Sequence, residues 1–185
     1  MHRLFLIRHG EPQVAWDGGA GDPGLSLRGL KQAERAAAAL RERGRLAAVS
    51  SPMLRCRETA ARFAAAPLLD PRVSEITAPP GAERRAWLAE HFPWREPSRR
   101  RFWANLDPQL LNWREQALAA VRGIEADAAV FTHFIAINAI VGAALRRDET
   151  IVCVPDYASI TELTVDAGEL VLVGMGAQMR QGEVR

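Results

Sequence analysis

The sequence predicts an α/β fold, a three-layer α/β/α sandwich around a mostly parallel central sheet, and three features carry that prediction. Leu4, Phe5, Leu6 and Ile7 form an apolar run without alternation, the pattern of a strand covered on both faces. Similar short runs alternate along the chain with segments of helical period. Residues 134–145 form an almost wholly apolar helix, which has to be buried.

The elements follow in order. The first strand ends at Arg8. After a Gly-rich loop at 18–24, Leu30, Ala33, Ala37 and Leu40 recur at helical spacing, with Ser26 as the cap and Gly44 as the stop. Residues 46–49 give a second strand. Ser51 and Pro52 then read as N-cap and first turn of a helix whose face carries Met53, Cys56, Ala60 and Phe63. From 78 to 108 the composition shifts to Pro, Arg and Trp, with periodicity only around 83–91, which reads as an inserted cap or long loop. Residues 110–124 are helical, 128–132 a strand and 134–145 the buried helix. Closing strands are expected at 151–154, 159–165 and 169–174, the last two joined by Asp166, Ala167 and Gly168. With no internal repeat and no linker, the expectation is one domain over residues 1–185.

Composition narrows the function classes. Hydrophobic residues at 48% and charged residues at 25% describe an ordinary globular chain and exclude a disordered or fibrous one. Twenty-four basic against 22 acidic residues leave a net charge of +2, too small an excess to demand nucleic acid or another polyanion. Lys31 is the only lysine, so the Arg and Ala bias reads as base composition. Cys56 and Cys153 are too isolated for a disulfide framework or a paired zinc site, which predicts free thiols in a reduced, cytoplasmic setting. No signal-peptide core and no uncharged membrane-length run is present.

The chemistry concentrates in three places. Arg8, His9 and Gly10 stand just beyond the first strand, the edge at which α/β proteins bind ligands. An imidazole there can attack phosphorus, and an adjacent guanidinium offers permanently charged donors to phosphate oxygens. Arg55 falls in the first turn of the helix after the second strand, where dipole and side chain both favour an anion. His133 repeats the arrangement after the strand ending at Thr132, at the head of a helix whose free N–H groups also suit phosphate. His2 and His91 lie outside these motifs and read as surface residues.

In these motifs the chain resembles the histidine phosphatase superfamily, the phosphoglycerate mutase-like proteins, over nearly its whole length. Arg8-His9-Gly10-Glu11 looks like the family signature, residues 51–60 like its second arginine motif, and Thr132-His133 like its second histidine motif. The resemblance implies a phosphoglycerate mutase-like fold and a phosphomonoester hydrolase acting on a small phosphorylated metabolite. His9 would be the nucleophile that becomes phosphohistidine, with Arg8, Arg55 and His133 around the transferring group. It also implies that no metal and no cofactor is needed, because the cationic side chains stabilise the developing charge. The family's acid that protonates the leaving oxygen matches Glu75, within Asp70-Pro71-Arg72-Val73-Ser74-Glu75, with Glu83 and Glu11 as fallbacks.

The chain also departs from the pattern. Phe134 and Ile135 follow His133 where Gly is common, Asn138 stands where Arg is frequent, and Ala15 occupies the position of an Asn in the mutases. These departures weigh against a mutase, which stays open beside a non-catalytic phospho-ligand binder. Arg84, Arg85 and Arg99–Arg101, interleaved with Trp87, Trp94 and Trp103, read as a solvated surface with Trp anchoring the insertion; recognition of a phosphorylated or aromatic group is the alternative.

Overall fold

The computed structural model describes residues 1–14, 21–96 and 98–179. Ala15 and part of the Gly-rich loop at 18–24 lie outside the described residues. The elements run β1 (His2–Arg8), α1 (Leu27–Arg41), β2 (Ala47–Ser50), α2 (Leu54–Ala61), β3 (Leu68–Leu69), α3 (Arg84–His91), α4 (Pro108–Arg122), β4 (Ala128–Thr132), α5 (Phe134–Ala144), β5 (Ile160–Asp166) and β6 (Glu169–Gly174). They build one six-stranded sheet in the order β3-β2-β4-β1-β5-β6. The pairs among the first four strands are parallel, and β5 and β6 add an antiparallel edge.

Alternation along the central strands sorts the core into two layers. Phe5, Ile7, Ala129 and Phe131 meet Ala36 and Leu40 of α1 and Ala60 of α2. Leu4, Leu6, Ala128 and Val130 meet Leu118 and Val121 of α4 and Ile137, Ile140 and Val141 of α5. Both faces are covered, which is why these strands read as continuous apolar runs. Ser26 caps α1 as expected, accepting from the Gly29 N–H, and Ala167 and Gly168, both at positive φ, turn the β5–β6 hairpin.

A third apolar cluster seats the insertion. Phe92 and the fully buried Trp103 pack with Leu88, Phe134, Ile135 and Ala139, joining residues of the 78–108 stretch to the first turns of α5. The stretch is therefore anchored by its own core.

Two expectations are corrected, and a third stretch adds elements. Residues 151–154 do not form a strand: the N–H groups of Val152 and Cys153 donate to Oδ1 of the buried Asn138 at 2.7 and 2.9 Å, so a side-chain amide on α5 takes the place of a neighbouring strand. Ser51 is not the cap of α2, which starts at Leu54 behind Met53; Asp22 instead accepts the Leu54 N–H at 2.7 Å. Between Ser50 and Glu75 the chain inserts the two-residue β3 and a 3₁₀ turn, Pro71–Val73, capped by Asp70, none of which the pattern revealed. Cys56 and Cys153 are free and buried. Among the described residues no helix is long and apolar enough to cross a membrane.

Candidate active site

The carboxyl ends of β1, β2 and β4 converge, and short backbone bonds lock them together. The His9 N–H donates to Thr132 O at 3.0 Å and the Ser51 N–H to Phe131 O at 3.0 Å. The turn after β1 then runs tightly past α1. A Cβ on Gly10 would stand 2.6 Å from the Gly29 carbonyl oxygen, so this approach excludes any side chain at Gly10. The Gly10 N–H is held by Thr59 Oγ1 at 3.0 Å, and Thr59 in turn donates to the Arg55 carbonyl at 2.7 Å.

His9, 6% exposed, stands with its Nδ1 2.8 Å from the Gly10 carbonyl oxygen. A carbonyl only accepts, so Nδ1 carries the proton and Nε2 keeps its lone pair. Burial, reinforced by the positive charges of Arg55 and Arg8, holds the imidazole pKa well below its ordinary value, and the ring stays neutral.

His133 lies against it, ring centroids 5.2 Å apart in an edge-on arrangement. The Arg55 guanidinium donates to its Nδ1 at 3.2 Å, which places the His133 proton on Nε2, donating to Ser51 Oγ at 2.9 Å. Cys56 Sγ is 3.3 Å from the same nitrogen. Burial first, then Arg55 and the other neighbouring charges, keep this ring neutral too.

Arg8 and Arg55 bring the charge, and both are buried. Nη1 of Arg8 donates to the Pro155 carbonyl at 2.9 Å, and its guanidinium lies over the rings of Tyr157 and Phe134. Arg55 has an ionic partner in Asp22 at 3.4 Å. Glu75 is 5% exposed; its Oε2 accepts from the Ile135 N–H at 3.1 Å and its Oε1 from the Ile76 N–H at 3.2 Å. Burial raises its pKa against the pull of those donors and of Arg55 and Arg84, which favours a carboxyl that retains a proton.

All five residues singled out in the sequence, Arg8, His9, Arg55, Glu75 and His133, are thus buried around one point. The fallback carboxylates are engaged elsewhere: Glu83 caps α3, and Glu11 accepts from Ser26 and pairs with Arg28. Contrary to the solvated surface that the sequence predicts for it, Arg84 is partly buried and its charge is felt by Glu75 and His133. Tyr157 and Asp22 also join the site without any signal in the sequence pattern, and Ser51, which opens the second arginine motif, bonds to His133 there. Asn138 faces the 151–154 loop. The arrangement offers a neutral imidazole nitrogen with a free lone pair, fixed cations for a tetrahedral oxyanion, and a carboxyl that burial shifts toward holding its proton. Among the described residues no group of three or more His, Cys, Asp or Glu side chains is placed to hold a metal ion.

A family model described as the histidine phosphatase superfamily (branch 1) matches residues 4–178. Among solved structures the chain is similar to a phosphoglycerate mutase from Thermus thermophilus, at 28% identity over 95% of this chain and 99% of that one, with a TM-score of 0.63. It is also similar to a mycobacterial glucosyl-3-phosphoglycerate phosphatase, at 21% identity over 97% and 100%, with a TM-score of 0.73, a likeness of fold alone. No curated protein sequence matches it significantly.

Proposed function

The chain belongs to the histidine phosphatase superfamily, and on that premise we propose that it is a metal-independent phosphomonoester hydrolase working through a phosphohistidine at His9. The observation that carries this reading is the state of His9: its proton is committed to Gly10 O and its ring is kept neutral beside two arginines. A surface histidine needs neither. A nucleophile toward a phosphate dianion needs both, because the attacking lone pair must be free while the surroundings still attract the anion.

In the first step the Nε2 lone pair of His9 attacks phosphorus, the bond to the ester oxygen breaks, and that oxygen takes the proton of Glu75. Arg8 and Arg55 hold the non-bridging oxygens as charge spreads over them, and His133 joins them by turning its Nε2 proton from Ser51 Oγ to one of those oxygens. In the second step water gives a proton to the Glu75 carboxylate as its oxygen bonds to phosphorus. The P–N bond breaks, its electron pair returns to Nε2, and inorganic phosphate leaves. The substrate class is a small phosphorylated metabolite.

Phosphoryl return to a second substrate oxygen is the alternative, favoured by the likeness to a protein named as a phosphoglycerate mutase. The test is a rapid quench that avoids acid, with a labelled phosphomonoester. An acid-labile phosphoenzyme is expected, absent in His9→Ala. Turnover without a phosphoenzyme, or near-normal turnover by His9→Ala, overturns the mechanism. No turnover on any of a panel of phosphoesters favours a binding protein.

A further inference from the structure

The arginines of the insertion line a cavity of their own. Arg99, Arg100 and Arg101 meet Arg147 and Glu149 around a space of about 280 Å³ whose lining includes none of Arg8, His9, Arg55, Glu75 or His133. We propose that this cavity is a second, non-catalytic binding site for a small organic anion with an apolar body.

The charge argument comes first. Four arginines face one carboxylate, and that carboxylate is already spent: Glu149 is 2.8 Å from Arg147 and 3.6 Å from Arg100, and these contacts hold its pKa at about 2. Arg101 donates through Nε to the Glu90 carbonyl. Arg99 has no ion pair among the described residues. The cavity therefore keeps a cationic excess at every pH at which the protein is folded.

The opposite wall decides what kind of anion fits. Pro93, Trp94, Ile151, Val152 and Val154 supply apolar surface. The backbone there has little to give: the Val152 and Cys153 N–H groups belong to Asn138, and the Val154 N–H to Gln178. A neutral hydrogen-bonding solute finds few donors on this wall, whereas an anionic head on the guanidinium groups with an apolar body along Ile151 and Val154 satisfies both surfaces. A flat body also suits the Trp94 ring.

The cavity is distinct from the catalytic pocket, yet the two share a partition. Trp94 packs edge-on against Phe134 at 6.1 Å, and Phe134 carries the Arg8 guanidinium at 5.2 Å. The binding proposal does not depend on the hydrolase reading; only the hydrolysis arm of its test rests on that reading, and the vanadate arm keeps the two apart.

Naphthalene-2-sulfonate, a flat anion with no phosphoryl group, is titrated into the full chain by calorimetry at low ionic strength, with and without saturating orthovanadate to fill the His9 pocket. One site is expected, unaffected by vanadate and weakened by added salt. The double variant Arg99→Ala/Arg100→Ala, altered at exposed positions, should bind about tenfold more weakly or worse. It should hydrolyse p-nitrophenyl phosphate at the wild-type rate. Absence of binding at millimolar probe, abolition by vanadate, undiminished binding by the double variant, or loss of hydrolysis in that variant would each overturn the proposal. The vanadate comparison uses wild-type protein and so stands even if the variant folds poorly.

Discussion

The Arg8 guanidinium lies 3.9 Å from the centroid of the Tyr157 ring, and the same ring stands 5.8 Å from that of His9. The loop carrying Tyr157 grips Arg8 twice more: Pro155 O accepts from the guanidinium, and the Ala158 N–H donates to the Arg8 carbonyl at 3.0 Å. Ala158 holds φ at 54° to make that contact, an uncommon conformation for a residue with a side chain. The Tyr157 loop thus fixes the Arg8 fork beside His9, and on the proposed mechanism Tyr157 is a positioning residue.

Tyr157→Ala should lower kcat/KM by about thirtyfold, since a desolvated cation–π pair contributes about 2 kcal/mol. Tyr157→Phe should keep near-wild-type activity, because the aromatic face is retained. Steady-state kinetics on p-nitrophenyl phosphate decides; an unchanged Tyr157→Ala would mean that the loop backbone alone holds Arg8.

Arg55→Ala should cost about 10²-fold to 10³-fold in rate, as for the loss of one preorganised oxyanion donor. Its position in the first turn of α2, off the apolar face, suggests from sequence a loss of activity with folding spared. Burial argues otherwise. Arg55 is 2% exposed and serves His133 and Asp22, and leaving His133 Nδ1 without a donor adds about 1–3 kcal/mol of destabilisation. Thermal melts alongside kinetics test this: an unchanged melting temperature would show that water replaces the guanidinium.

Glu75 must hold its proton to serve as the acid, so kcat/KM should fall as pH rises through its raised pKa. The acid limb should come only well below 6.5, where His9 is finally protonated. Glu75→Gln should abolish the alkaline limb and cost about 10²-fold to 10⁴-fold with an alkyl phosphate. The loss should be smaller with p-nitrophenyl phosphate, whose departing oxygen needs less help. Equal losses with both esters would remove Glu75 from the acid role.

The two neutral histidines tie stability to pH. Their pKa values in the folded protein are depressed below the 6.5 of an unfolded chain, so as pH falls below 6.5 the unfolded state takes up protons first. Stability present above that pH is therefore lost progressively below it. Melting temperature should drop on acidification from about pH 7 to about pH 5, and less steeply in His9→Asn. Parallel slopes in the two proteins would show that His9 takes up its proton alike in the folded and unfolded states.

How far the sequence anticipates all this depends on whether a feature is local. β1, β4 and α5 are legible because burial on all sides leaves unbroken apolar runs. Residues 151–154 show the same kind of run, but their hydrogen bonds go to Asn138, a partner that no periodicity reports. β3 is two residues long and leaves no pattern. Arg8, His9, Arg55 and His133 are legible because each follows directly on a strand or opens a helix. Glu75 came only with the family resemblance, since one carboxylate after a short segment carries no signal of its own burial. Tyr157, Asp22 and Arg84 are brought in by loops and by the insertion, so their place at the site is a product of tertiary structure.

Hydrolysis should dominate over mutase activity, because a mutase must shield its phosphohistidine from water and hold the rebound substrate in two orientations. Asn138, which stands where an Arg is frequent in the family pattern, is engaged away from the pocket. It donates from its amide nitrogen to Phe134 O, and its oxygen accepts from the Val152 and Cys153 N–H groups, so it is tied to the 151–154 loop. The wall beside His133 is apolar, with Phe134 under Arg8 and against Trp94. The 78–108 insertion is the natural candidate for a closing cover. Trp103 and Phe92, both fully buried, fasten part of it to α5, and a Phe102–Glu149 bridge fastens it again to the segment after that helix. A segment tied at both places serves as a wall better than as a lid that seals and reopens. Phosphate release and the interconversion of 2- and 3-phosphoglycerate, followed in the same preparation, should therefore show release ahead. Interconversion that exceeds phosphate release on every phosphoester tested would reverse the assignment.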